Sequence, residues 1–202
     1  MAYNKPLIPS KHFPTFKDNM PTLTGKTFVI TGTTSGTGKV ASKALTEKGA
    51  RVFMLNRKSS RSEKAQQDIS TAFPNADVHS IECDLQSFAS VQKAADQLKA
   101  LCSDSGIYGL INNAGIMAMP DEATAEGFDT QMQTNHLSHF LLTRELYPLI
   151  EKGADTHGEA RIVNHSSIAR LSVKRLDGKY LEKNGGNLGG DGSSMIFGGA
   201  RW

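Results

Sequence analysis

Thr31-Gly32-Thr33-Thr34-Ser35-Gly36-Thr37-Gly38 follows directly on the apolar run Phe28-Val29-Ile30. An apolar run that ends in a glycine-rich bend and passes into a helix-forming segment, here Val40 to Lys48, is the arrangement by which a strand delivers the chain to a phosphate. Glycines leave a backbone without Cβ atoms, so amide groups can come close to an anion, and the first turn of the helix carries partial positive charge. Ordinary turns are also rich in glycine. The surroundings decide between the two: a second apolar run, Val52 to Leu55, follows within about thirty residues, the extent of one strand–helix–strand unit. The chain opens like a dinucleotide binder.

Working outward, strands and helices alternate. The pattern predicts a strand over 27–31, a helix over 37–48 stopped by Gly49, a strand over 51–56 and a polar helix over 60–73 closed by Pro74. A third strand is predicted over 78–83, followed by a helix over 87–102 with Phe88, Val91, Ala94, Ala95 and Leu98 at helical spacing. A short strand over 108–111, a long helix over 128–150 and a fifth strand over 161–165 complete the series. Five strands separated by helices require right-handed crossovers, and so a doubly wound parallel α/β sheet covered on both faces. One domain is expected over 24–182, after an N-terminal arm over 1–23 that carries Pro6, Pro9 and Pro14. A flexible segment is expected over 183–202, since seven of the fifteen residues from Gly185 to Gly199 are glycine. A sheet that stops at its fifth strand keeps a bare edge, so the fold is expected to be incomplete at its C-terminal end.

Composition narrows the function classes. At 202 residues and 38% hydrophobic content the chain can bury the core of one globular domain. A net charge of +3 without a run of five basic residues argues against a nucleic-acid groove and for a local anion site. Cys83 and Cys102 lack metal-ligand spacing and read as reduced thiols of a cytosol-like compartment, and no metal site is expected. His136 and His139 are spaced i, i+3, but no third ligand lies near them in sequence, so they read as surface or packing residues. No stretch reaches eighteen consecutive apolar residues, which argues against a transmembrane segment. No pattern points to an oligomeric state.

Cofactor choice turns on the end of the second strand. An acidic residue there would hold the ribose hydroxyls of NAD, but Asn56 is followed by Arg57 and Lys58, which offer positive charge to a 2′-phosphate. NADP(H) is therefore favoured over NAD(H). A solvated basic turn, continued by Arg61 and Lys64, is the alternative account of the same residues.

Five motifs now stand in order: Thr31 to Gly38, Cys83-Asp84-Leu85, Asn112-Asn113-Ala114-Gly115, Asn135-His136-Leu137, and Arg161 to Ser167. Together they resemble the short-chain dehydrogenases/reductases over about residues 24–172, and within them the retinol-dehydrogenase-like branch that includes relatives of protochlorophyllide reductase. The resemblance implies a Rossmann fold and an NADP(H)-dependent oxidoreductase acting on an alcohol/carbonyl pair, the substrate being small and hydrophobic. It places Gly32, Thr34, Ser35, Gly36, Gly38, Arg57, Asp84, Leu85, Asn113, Ala114 and Gly115 on the cofactor. Asp84 would meet the adenine amino group, although an acid there could instead cap the helix that begins near Ser87. Asn113 reads as a clamp between neighbouring loops rather than a catalyst. Ser167 would orient the substrate carbonyl, and Asn135 would help hold a water and a lysine in a proton relay.

One element of that family pattern is missing. Its general acid is a tyrosine followed four residues later by a lysine, and no Tyr-x-x-x-Lys occurs in this sequence. Tyr180 has Lys183 three residues on and reads as a loop aromatic. The expectation is a product that ends before the tyrosine-bearing segment and is weakly active. The alternative is a non-catalytic nucleotide-binding or regulatory protein.

Overall fold

Contiguous apolar residues make the two central strands, β1 (Thr27–Thr31) and β2 (Arg51–Asn56), because a parallel strand covered by helices on both sides has no face left for water. The computed structural model describes residues 10–117, 119–168, 171 and 175–186. Strands β3 (Val78–Glu82), β4 (Gly109–Asn112) and β5 (Arg161–Asn164) complete a wholly parallel sheet in the order β3-β2-β1-β4-β5. The chain winds outward from β1 to β3, then returns to the other side of β1 for β4 and β5. This is the doubly wound Rossmann arrangement expected from the alternation of strands and helices.

Side-chain alternation along β1 divides the core in two. Val29 points to one face, where it joins Phe53, Leu55 and Leu110 under helices α4 (Phe88–Leu101) and α6 (Ser138–His157). Phe28 and Ile30 point to the other and meet Met54, Leu45 and Ile69 under helices α2 (Gly36–Glu47) and α3 (Ser60–Ala72). Ser59 closes a capping box with Ser62 at the start of α3, and the Ser87 hydroxyl accepts from Ser90 N–H at the start of α4. Strand β3 buries Val78 and Ile81 and exposes its other three residues, and at the opposite edge all four residues of β5 are exposed, Ile162 and Val163 among them. Among the described residues no helix is long and apolar enough to cross a membrane.

Three local expectations need correction. The long helix begins only after Asp129, whose carboxylate accepts from Met132 N–H; it opens as α5 (Thr130–Met132), widens into a π-turn over Gln133–Leu137, and continues as α6 to His157. It passes Ile150 because the small Gly153 lets it lie on the β4 lead-in, and it stops where Gly158 takes a φ of +78°. Tyr180 sits not in an open loop but in a 3-10 turn, Gly178–Leu181, capped by Asp177. The described part of the glycine-rich segment packs: Gly185 N–H donates to the Gly127 carbonyl, and Gly186 is buried against Glu122 and Ala123. Residues 187–202 lie outside the described residues, as do 1–9 of the N-terminal arm. The rest of that arm carries α1 (Phe13–Asp18), ties Lys17 to Glu47 at 2.8 Å and buries Leu23 in the core.

Gly153 lets α6 pack directly on the backbone that leads into β4. A Cβ there would stand 2.2 Å from the Ile107 carbonyl oxygen and 2.6 Å from its carbon, both rigid backbone atoms. Gly153→Ala is expected to destabilise the fold by about 2–3 kcal/mol, read as a lower midpoint in urea unfolding at unchanged slope.

Candidate functional site

A cleft of about 710 Å³ opens beyond the carboxyl ends of the strands, at the point between β1 and β4 where the strand order reverses. Open α/β sheets bind ligands at this position, because the two crossovers leave it in opposite directions and nothing fills the gap. Gly32, Thr34, Ser35 and Thr37 form its floor, residues 55–59 with Arg61 and residues 82–86 one wall, and residues 113–116 with Thr134 and His165 the other.

The glycines of the bend do separate work. Gly32 has a φ of +71°, and a Cβ there would lie 2.8 Å from Ala114, so it lets β1 and the β4 loop touch. At Gly38 a Cβ would meet the Gly32 carbonyl oxygen at 2.3 Å and Asn113 Nδ2 at 2.5 Å. Gly36 differs: with φ +56° and nothing within 4 Å of its Cβ position, it borders open space. Ser35 is the N-cap of α2, yet no side chain caps that helix, whereas serines cap α3 and α4. The first amides of α2 are thus left for a ligand, and this uncapped, glycine-lined start fits a diphosphate.

On the β2 side, Asn56 is buried and turned into the bend. Its Oδ1 accepts from Thr33 N–H at 2.8 Å and its Nδ2 donates to Thr33 Oγ1 at 2.7 Å. The cations next to it, Arg57, Lys58 and Arg61, are exposed on the cleft rim, and none forms an ion pair among the described residues. Two residues past the end of β3, Asp84 does not cap α4, since Ser87 holds that place; its Oδ1 accepts from Gln86 N–H at 3.0 Å, while its own N–H donates to Ser90 Oγ at 2.9 Å. Burial, with the Asp84 charge beside it, pushes the Cys83 thiol up to about 12, so this sulfur is inert at neutral pH.

The β4 side is held by polar contacts between distant parts of the chain. Asn113 Nδ2 donates to the Thr31 carbonyl at 2.9 Å and the Gly32 carbonyl at 3.1 Å, and its Oδ1 lies 3.1 Å from His165 Nδ1. Thr31 Oγ1, fully buried, accepts from the N–H groups of Asn113 and Ala114 at 3.0 Å each and pairs with His139 Nε2 at 2.9 Å. Asn135 lies in the π-turn, where its Oδ1 accepts from Ile116 N–H and its Nδ2 donates to the Ile116 carbonyl, both at 2.8 Å. Burial holds the His139 imidazole below its ordinary range, against a hydrogen bond to the Asn135 carbonyl that raises it.

The cleft therefore gathers Gly32, Thr34, Ser35, Arg57, Asp84, Leu85, Asn113, Ala114 and Gly115. Gly36 and Gly38 shape the bend without lining the cleft, and Asn135 reaches it through Ile116. Ser167 is exposed beyond the end of β5 and does not line the cleft. Sequence reasoning passes over Thr31 and His165. It also sets His139 aside as packing, although His139 lies one helical turn beyond Asn135 on the same face, which is the signal that could have linked them.

A family model described as short chain dehydrogenase matches residues 26–178. An uncharacterized oxidoreductase of Schizosaccharomyces pombe is 37% identical over 161 residues, which cover 79% of this chain and 47% of that protein. Retinol dehydrogenase 12 of Mus musculus is 39% identical over 150 residues, covering 74% of this chain and 46% of that protein. The chain spans about half the length of these curated relatives. Among solved structures, the Pseudomonas aeruginosa RhlG/NADP active-site complex superposes with a TM-score of 0.63 at 28% identity, over 79% of this chain and 61% of that one.

The buried imidazole gives the site a pH signature. His139 binds its proton less readily in the folded chain than in the unfolded one, so the unfolded state takes up more protons as the pH falls past the ordinary histidine value of 6.5. Stability from this group is complete above about pH 6.5 and is lost as the pH drops through the folded value. Followed downward from pH 7.5, the denaturant midpoint of the wild type is expected to fall relative to that of His139→Gln once the pH passes below 6.5.

Proposed function

The chain belongs to the short-chain dehydrogenase family, and from that membership we propose that it is an NADP(H)-dependent oxidoreductase acting on an alcohol/carbonyl pair. The observation that carries the coenzyme choice is at the end of β2. Asn56 commits its amide to Thr33, leaving no carboxylate for a ribose diol, and Arg57 stands beside it on the cleft rim with no ion-pair partner among the described residues. A 2′-phosphate would meet positive charge there. The similar RhlG structure was solved with NADP.

When bound, the coenzyme would give hydride to the carbonyl or take it from the alcohol. The chain's own residues would hold the coenzyme: the open amides at the start of α2 the diphosphate, Arg57 the 2′-phosphate, Asp84 and Leu85 the adenine, with Asn113 to Gly115 as the wall opposite. Family membership alone supports Ser167, which stands outside the cleft, as the group that would bond the reacting oxygen, whereas Asn135 fixes the wall through Ile116. The name of retinol dehydrogenase 12 supports a hydrophobic alcohol as the substrate class. Two buried, unlinked thiols suit a reducing compartment.

A second reading concerns these 202 residues alone, which contain no Tyr-x-x-x-Lys: a nucleotide-binding unit that does not catalyse by itself. A positioned general acid is worth about 10²–10⁴-fold in rate, so slow turnover of aldehydes by this chain is expected even with coenzyme bound. Titration of intrinsic fluorescence separates the possibilities. NADPH is expected to bind more tightly than NADH; Arg57→Ala should weaken NADPH by about tenfold or more and leave NADH unchanged. Asn56→Asp keeps both bonds to Thr33, since a carboxylate accepts from N–H and O–H alike, and should reverse the preference. Equal affinities with an unaffected Arg57→Ala variant would overturn the coenzyme assignment, and turnover near an ordinary enzyme rate of about 10 s⁻¹ would overturn the account of the missing acid.

A further inference from the structure

The hydrogen bonds around Thr31 leave no freedom in where the protons lie. A hydroxyl has two acceptor sites and one proton to give. The backbone N–H groups of Asn113 and Ala114 can only donate, and they fill both acceptor sites of Thr31 Oγ1. The remaining bond, 2.9 Å to His139 Nε2, must use the proton of Thr31 itself, so Nε2 accepts. A neutral imidazole then carries its proton on Nδ1, which lies 3.1 Å from the Asn135 carbonyl oxygen, a group that can only accept.

These bonds form a closed circuit. One end of the Asn113–Ile116 segment is held by Thr31, the other by the paired bonds of the Asn135 side chain to Ile116, and His139 joins Thr31 to Asn135. The circuit crosses 108 residues of sequence at its Thr31–His139 step, so no local structure could replace it. Asn113, Ala114, Gly115 and Ile116 are the cleft wall opposite the cationic rim.

We propose that His139 is a positioning residue for the coenzyme: held as the Nδ1–H tautomer, it couples Thr31 to Asn135 and fixes the Asn113–Ile116 wall. This rests on the coenzyme reading above for the identity of the ligand, but the tautomer does not. The half of the dinucleotide that carries the 2′-phosphate is assigned to the cationic rim, so the half beyond the diphosphate is the one that depends on this wall. Leucine at position 139 would fill the volume and make neither bond. Asparagine keeps a donor toward the Asn135 carbonyl but is too short to bridge both partners.

Two measurements on the full chain test the proposal. In ¹⁵N-labelled protein at pH 7.5, the His139 side chain should show the shift pattern of an imidazole protonated on Nδ1; protonation on Nε2 overturns the circuit whatever the ligand. Titration with NADPH and with adenosine 2′,5′-bisphosphate, which lacks the nicotinamide half, supplies the second readout. His139→Leu should lose about tenfold in NADPH affinity and nothing toward the bisphosphate, with part of the loss recovered in His139→Asn. Equal losses for both ligands would mean a merely structural role and overturn the proposal, as would no loss for either. Should His139→Leu fail to fold, His139→Asn and the tautomer decide between these outcomes. A wild type that does not bind the bisphosphate would refute the coenzyme reading, and the position of the His139 proton would then by itself uphold or overturn the circuit.

Discussion

Everything at the cleft depends on how closely the chain around Gly32 approaches the β4 loop. The Asn113 amide donates to two successive carbonyls of the bend, and it can do so only because Gly38 has no Cβ to occupy the same space. Gly32 in turn accepts Ala114 against its own α-carbon. Two crossovers that diverge on opposite sides of β1 are thereby drawn together at their origins. Strand pairing alone would hold β1 against β4, but it would leave their loops free, and a ligand would have to order them at the cost of its own affinity.

That constraint explains the division of labour on the other wall. Asn56 extends the same bend toward β2 through Thr33, so it is a structural residue at a place where an acid would discriminate between coenzymes. Under the proposed coenzyme preference, discrimination would fall to its exposed neighbour. Arg57 extends into solvent with Lys58 and Arg61, and charges of one sign on the lip of a concave surface raise the local concentration of an anion before it docks. Exposed cations cost little to keep unpaired, whereas a buried one at position 56 would need a partner at all times.

The fold could be read from the sequence because its signals are local. Phe28 to Ile30 and Val52 to Leu55 are buried on both faces and form unbroken apolar runs, and Gly49 and Pro74 mark helix ends by backbone geometry alone. The bend and the asparagine loop were legible for the same reason, as were Asp84 and Arg57 at strand ends. The circuit through Thr31 and His139 was not. It joins residues 108 apart, and an i, i+3 pair of histidines suggests a metal or a surface sooner than a hydrogen bond to a distant threonine. Nor could periodicity show the π-turn, which inserts a wider turn without changing the apolar stripe of α6. Asn135 looks unfavourable in a helix until that turn is seen; there its side chain takes the place of a strand partner for Ile116.

Buried polarity in this molecule is concentrated where the sheet ends. Thr31, Thr33, Asn56, Asn112, Gln133, Thr134, Ser138 and His139 are all buried, and most of them sit at the carboxyl edge of the strands or on the π-turn that packs against it. An apolar core there would fold with fewer obligations. Each of these groups instead needs a partner, and a lost partner costs about 1–3 kcal/mol. The Ser138 hydroxyl shows how the demand is met, donating to the Leu85 carbonyl at 2.6 Å and so fastening the π-turn to the end of β3. Two of the side-chain oxygens at this edge, Asn112 Oδ1 and Thr134 Oγ1, have no hydrogen-bond partner among the described residues, and Thr134 lines the cleft. A stability optimum would have removed them. Thr46 Oγ1 on α2 carries the same cost away from the cleft, so of these unpartnered oxygens Thr134 is the one whose residue borders the place where a ligand would lie.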